Sequence, residues 1–142
     1  MPLGEAHLFL KFFKIGLDYN NIIVYINSVA KRKRHVMQEA IQTLIEAIKF
    51  DYANYSDRTG EVRQRMIEDF NKNISFKVGK KYTKIISNNS VWGFIVNQDE
   101  GKFRAGDILK AASWASPAKN SARGNILDGG YSIAWTGPNY LG

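Results

Sequence analysis

The sequence predicts an α+β fold, with an N-terminal helical part packed on a C-terminal antiparallel β-sheet. Apolar residues between positions 36 and 71 recur at helical spacing. Beyond Asn73 the apolar runs shorten to strand length and are separated by Gly and Asn. No interval between the main runs holds a crossover helix, which leaves antiparallel pairing.

The first helix is expected near 36–55. Ile41, Leu44, Ile45, Ile48 and Tyr52 make one stripe, with Gln42, Glu46 and Lys49 outside it. The second is expected near 60–71, with Thr59 as N-cap and Glu61 at the positive end of the dipole. Its apolar face reads as Val62, Met66, Ile67 and Phe70. The short Ser56-Asp57-Arg58 connection makes the pair antiparallel. Strands are expected at Ser75–Val78, Tyr82–Ser87, Val91–Asn97, Asp107–Leu109 and Tyr131–Thr136. Gly79-Lys80, Asn88-Asn89 and Glu100-Gly101 read as turns, because Gly and Asn tolerate the backbone angles turns need. The break at Ser87–Ser90 makes 82–87 and 91–97 a hairpin. Residues 111–130 form a long connection containing Pro117, of the kind that often carries function.

At 142 residues the chain is long enough to bury a core without staples. It has no cysteine, which excludes disulfides, thiolate metal ligands and a thiol nucleophile, and fits a reducing compartment. The net charge of +7 is uneven. Residues 1–71 hold 10 Lys/Arg against 9 Asp/Glu, and residues 72–142 hold 10 against 4. A positive second half attracts polyanions.

The apolar runs at Leu8–Leu17 and Ile22–Ile26 are separated by Asp18, Asn20 and Asn21, and the basic run Lys31–His35 follows. Neither run approaches the ~20 apolar residues of a membrane span. The N-terminus lacks the basic region and small-residue cleavage site of a secretory signal. Residues 1–36 are therefore expected to be an N-terminal extension, and 37–142 a single α+β domain with helices over 37–72 and a β part over 74–142.

From Met66 onward several pieces occur in a fixed order. They are Met66-Ile67-Glu68-Asp69-Phe70-Asn71, Val78-Gly79-Lys80-Lys81-Tyr82 and Ser90-Val91-Trp92-Gly93-Phe94-Ile95-Val96. Gly106 to Trp114, Pro117-Ala118-Lys119, Ala122-Arg123-Gly124-Asn125 and Trp135-Thr136-Gly137 follow. The stretch 66–141 resembles small uncharacterised proteins of tailed bacteriophages. The resemblance implies a phage origin and expression in the cytoplasm of an infected bacterium, with the virion as the alternative place. It carries no assigned activity and transfers no functional residue.

No catalytic constellation, phosphate-binding glycine loop or metal-ligand spacing is present in the sequence. Neither enzyme activity nor a cofactor or metal is expected. Ser113 and Ser116 have no partner base, and Asp99 and Glu100 read as solvated turn charges. The suggestive feature is aromatic residues interleaved with basic ones, as in proteins that stack bases and track phosphates. Trp92 and Phe94 have two readings, as core or as a presented face, because strand cores also favour aromatics. On simple alternation, Val91, Gly93 and Ile95 share one face, and Trp92, Phe94 and Val96 the other. Arg123 also has two readings: a fork for phosphate, or a tie to Asp107 or Asp128.

The expected function is a non-enzymatic accessory protein that binds single-stranded nucleic acid. Lys80, Lys81, Lys84, Lys110, Lys119 and Arg123 would serve phosphates, and Trp114 would stack. A protein-interaction role is the first alternative: a homo-oligomer, a virion component or an inhibitor of a host enzyme. An exposed apolar stripe on 37–55 would mark it. A small nucleotide-ligand binder is the second, marked by a deep pocket at Trp114 and Arg123.

Overall fold

The computed structural model describes residue 16 and residues 18–139. His7, most of the run at 8–17 and Leu141 lie outside them. The chain divides between Gln38 and Glu39 into two compact units. Helix α1, Tyr19–Asn54, runs through that division and so starts well before Val36. Asp18 stands just before this helix. Its carboxylate accepts the Asn21 N–H at 2.8 Å and starts the helix. The run Lys31–His35 is exposed along α1. Among the described residues no helix is long and apolar enough to cross a membrane.

In the unit 39–142 the expected stripe is buried: Ile41, Leu44, Ile45, Ile48 and Tyr52 are at most 8% exposed. Helix α2 is Glu61–Lys72, and its N-cap is Gly60 rather than Thr59. Gly60 has φ 101, a conformation glycine adopts without penalty, and no side chain caps the helix there. The buried side of α2 is also displaced from the expected one. Val62 and Met66 are exposed, while Arg63 and Phe70 are buried.

The reason lies at the end of α1, whose last turn carries no basic residue. Arg63 supplies that charge from α2: its Nη2 donates to the carbonyl of Tyr52. Its guanidinium lies 4.9 Å from the centre of the Tyr52 ring and 4.7 Å from that of Tyr55. A cation at a helix C-terminus is stabilised by the dipole, and rings accept its unpaired N–H side. Phe70 stacks on Tyr52 at 4.0 Å, and Trp135 meets both rings edge-on. The Trp135 backbone N–H donates to Asp51 at 2.7 Å, which ties the end of the chain to α1.

The main sheet is an antiparallel meander of β1 (Ile74–Val78), β2 (Tyr82–Ser87), β3 (Ser90–Val96) and β4 (Ile108–Leu109). Asn88 and Asn89 both have positive φ, 49° and 64°, as a two-residue hairpin turn of matching twist requires. The segment expected as one strand at 131–136 is instead two short ribbons. β5 (Gly124–Asn125) pairs with β6 (Gly130–Tyr131), and β7 (Ile133–Ala134) with β8 (Gly137–Pro138).

A bulge in β3 overturns the expected face assignment. Ile85 pairs with Gly93 and Ile86 with Val91, so Trp92 is the extra residue. Val91 therefore falls on the side of Phe94, not of Gly93 and Ile95. One side of the sheet carries the fully buried Ile85, Ile95 and Ile108. The other carries Lys77, Lys84, Phe94 and Leu109, successive partners across the strands, and Tyr82, which pairs with Val96.

Ile45→Ala should destabilise the protein by about 2–5 kcal/mol in denaturant unfolding, the cost of an unfilled aliphatic cavity. Val36→Ala, at a residue 53% exposed on the same helix, should cost less than about 0.5 kcal/mol. Equal effects would show that the stripe does not carry the core.

Candidate nucleic-acid interface

The side of the sheet away from Ile85 and Ile95 bears a small second core. Phe94, Val96, Phe103 and Leu109 are buried together, with Tyr82, Val91, Ala111 and Ala122 packed against them. Phe94 thus belongs to the core, as does Trp92, which is 3% exposed and donates its indole N–H to the Ala134 carbonyl at 2.9 Å. Around the second core stand cations over rings. Lys84 Nζ lies 5.9 Å from the Phe94 centroid and 4.5 Å from that of Trp114. Lys119 Nζ lies 5.9 Å from Tyr82, and Lys102 Nζ 5.2 Å from Phe103.

Trp114 is 54% exposed, and the local sequence explains why. The N–H groups of Ala112 and Ser113 both donate to the Ser116 carbonyl. The Ser113 and Ser116 hydroxyls meet at 3.0 Å, and Ser113 Oγ also accepts the N–H of Ala115 and Ser116. The two serines close a tight turn, and Trp114 stands at its tip. An open cleft of about 350 Å³ lies beside it, lined by Asn89, Ser90, Val91 and residues 111–114.

The long connection is held at its base by a buried polar pair. Asp107 Oδ1 accepts from Asn125 Nδ2 at 2.9 Å, and Asp107 Oδ2 accepts the Arg104 N–H at 2.8 Å. Asn125 Nδ2 also donates to the Ala105 carbonyl, and Asn125 Oδ1 accepts the N–H of Leu127 and Asp128. Gly106 makes room for this amide. It has φ +88, and a Cβ there would sit 3.0 Å from Asn125 Oδ1 and 2.8 Å from Leu127 Cγ. Inside the clamp, Arg123 N–H donates to Ile108 O and Ala118 N–H to Lys110 O.

Of the expected site residues, the fold brings Lys84, Trp114 and Lys119 to one side, around Tyr82 and Phe94. Lys80 is exposed at the β1–β2 turn. Lys81 is paired with Glu100 at 3.2 Å. Lys110 lies elsewhere: its Nζ is 3.8 Å from where a Cβ on Gly137 would stand. Arg123 does not tie to Asp107 or Asp128. Its guanidinium donates to the carbonyls of Ser121 and Asn139 and to Asn120 Oδ1, so backbone acceptors hold it. Asn125 is the residue that reaches Asp107, and Arg104 the one that reaches Asp128, at 3.5 Å. Lys77 was missed, although its register partner is Lys84. Pairing Val78 with Thr83 across the Gly79-Lys80 turn would have put Lys77 opposite Lys84, on the same side.

The chain belongs to a family of unknown function, DUF7717, whose model matches residues 23–135. No curated protein and no solved structure matches it.

Asn125→Ala removes the clamp while leaving the Asp107 carboxylate buried. The expected cost is about 1–3 kcal/mol for each polar group left unpaired. Amide hydrogen exchange should show protection lost first at Ala118 and Arg123. Uniform loss across the sheet would instead mean that the loop and sheet open as one unit.

Proposed function

We propose that this chain is a non-enzymatic accessory protein of a tailed bacteriophage, acting in the infected cell by binding single-stranded nucleic acid. The phage setting rests on the resemblance over 66–141. The binding rests on one observation above all: Lys84 sits 4.5 Å over the ring of a tryptophan that is 54% exposed. The ammonium covers part of Trp114, and the exposed remainder of the ring is available to a base. Stacking of this kind stabilises by about 1–3 kcal/mol per base and tolerates any sequence, since every base has a π face. Lys119, Lys77 and Lys84 line the approach with positive charge for the phosphates.

The rival readings have less support. Their marker for an interaction protein was an exposed stripe on 37–55, and Ile41, Leu44, Ile45, Ile48 and Tyr52 are buried instead. Phe50 is 71% exposed but stands outside that stripe. A nucleotide binder called for a deep pocket at Trp114 and Arg123. The cleft at Trp114 is open and does not include Arg123.

Trp114→Ala should weaken binding to a single-stranded oligonucleotide by about 1–3 kcal/mol and leave duplex binding nearly unchanged, as read by fluorescence anisotropy. Its melting temperature should match the wild type, because the ring is exposed. Lys119→Ala should weaken both and reduce the slope of log K against log salt by about 0.7 on single strands. Unchanged single-strand affinity in the Trp114 variant would overturn this reading in favour of a protein partner.

A further inference from the structure

The tip of the β2–β3 hairpin separates two clefts, and Ser90 lines both. One is the open cleft beside Trp114. The other has a volume of about 250 Å³ and is lined by Ser87, Asn88, Ser90, Trp92, Trp135 and Thr136. Its chemistry is unlike that of the basic side. None of these six side chains is charged, and the ammonium of Lys110 stands outside the lining, beside Gly137. The volume is below the ~300–1,000 Å³ typical of drug-sized pockets, which suits one small planar group.

The walls are fixed before anything binds. Trp92 is anchored through its indole N–H to Ala134. Trp135 is held edge-on to Tyr52 at 5.1 Å and to Phe70 at 6.1 Å, with its backbone bonded to Asp51. The polar groups are not spent on the protein. The Ser87 hydroxyl, the Asn88 amide and the Thr136 hydroxyl have no hydrogen-bond partner among the described residues. Ser87 is held in β2 and is 8% exposed, so its position in the cleft wall is fixed. Its hydroxyl is not a buried orphan, since the buried unpartnered side-chain atoms among the described residues are Arg63 Nε and Nη1, so it stays accessible to a polar ligand atom in the cleft it lines. Asn88 adds a donor and an acceptor side by side, the arrangement that reads a base edge.

We propose that this neutral cleft receives a nucleobase of the same strand that stacks on Trp114, the strand passing over the Asn88-Asn89 tip. This rests on the single-strand reading above and adds to it a base preference at one position. Stacking on Trp114 is indifferent to sequence, whereas hydrogen bonds from Ser87, Asn88 and Thr136 discriminate.

The test compares binding of the full chain to dA8, dC8 and dT8 with binding of a Ser87→Ala/Thr136→Val variant. These substitutions keep shape and delete the hydroxyls. Neither hydroxyl bonds to the protein, so the melting temperature should stay close to that of the wild type. The wild type should spread its three affinities by about tenfold or more. The variant should compress that spread to within about twofold, with the salt slope unchanged. Wild-type affinities that are already equal, or a spread that survives in the variant, would overturn the proposal and leave the single-strand reading standing. Absence of oligonucleotide binding by the wild type would overturn both. Nucleoside monophosphates that bind as tightly as the oligonucleotides would show that the cleft serves a free nucleotide, not a strand.

Discussion

The buried contact between the Asp107 carboxylate and the Asn125 amide determines where the candidate site can be. It joins the strand that ends the sheet to the far end of the long connection. Every polar atom of that amide is used, and so are both carboxylate oxygens of Asp107. A fully satisfied buried network rigidifies its surroundings, whereas a half-satisfied one would destabilise them. Between these anchors, residues 108–124 are laid down by backbone bonds at Ile108, Lys110, Ser116, Ala118 and Arg123. The connection is therefore an ordered flap. The entropy of fixing Trp114 and Lys119 is lost on folding, and a ligand meets them already in place.

The sheet beneath has two chemically different sides, and the bulge at Trp92 sorts the aromatics between them. An extra residue in β3 separates Trp92 from Phe94, which simple alternation would place on one side, and moves Val91 into the second core. Trp92 then meets β7 through Ala134, while Phe94 meets Lys84. One tryptophan consolidates the terminal ribbons, and the phenylalanine supports the basic side. Gly93 beside the bulge allows Pro138 to lie close. A Cβ at that position would sit 3.2 Å from the proline ring.

What the sequence made legible were the features set by local spacing. The stripe from Ile41 to Tyr52, the Asn88-Asn89 turn and the antiparallel meander follow from period, turn chemistry and interval length. What it hid depended on partners distant in the chain. Arg63 takes a position that residue type assigns to Val62 or Met66, because the end of α1 lacks a cation of its own and two tyrosines can enclose one. The start of α1 was hidden differently. Asp18, Asn20 and Asn21 look like a break, yet an Asp before an apolar run is also an N-cap, and five consecutive basic or His residues can all face solvent on one helix. In the candidate site, the sequence supplied the right residue types but could not say that Arg123 would be used up by carbonyl oxygens or that Lys110 would point elsewhere.

On the proposed reading, the division of charge around the hairpin tip assigns parts of a strand to parts of the surface. Lys77, Lys84 and Lys119 belong to the side that carries Tyr82 and Trp114, where phosphates gain countercharge. Ser87, Asn88 and Thr136 belong to the cleft whose lining side chains carry no charge. A strand lying with its backbone on the first side can turn bases toward the tip, and the reverse orientation would bury charge against two indoles. The cation–π contact at Trp114 is consistent with that arrangement. Lys84 withdraws toward the ring from one side, and the remaining surface presents a π face whose partner is flat, apolar across its plane and polar only at its edge. A nucleobase has that shape, and on the proposed reading its edge meets Ser87, Asn88 and Thr136 in the second cleft.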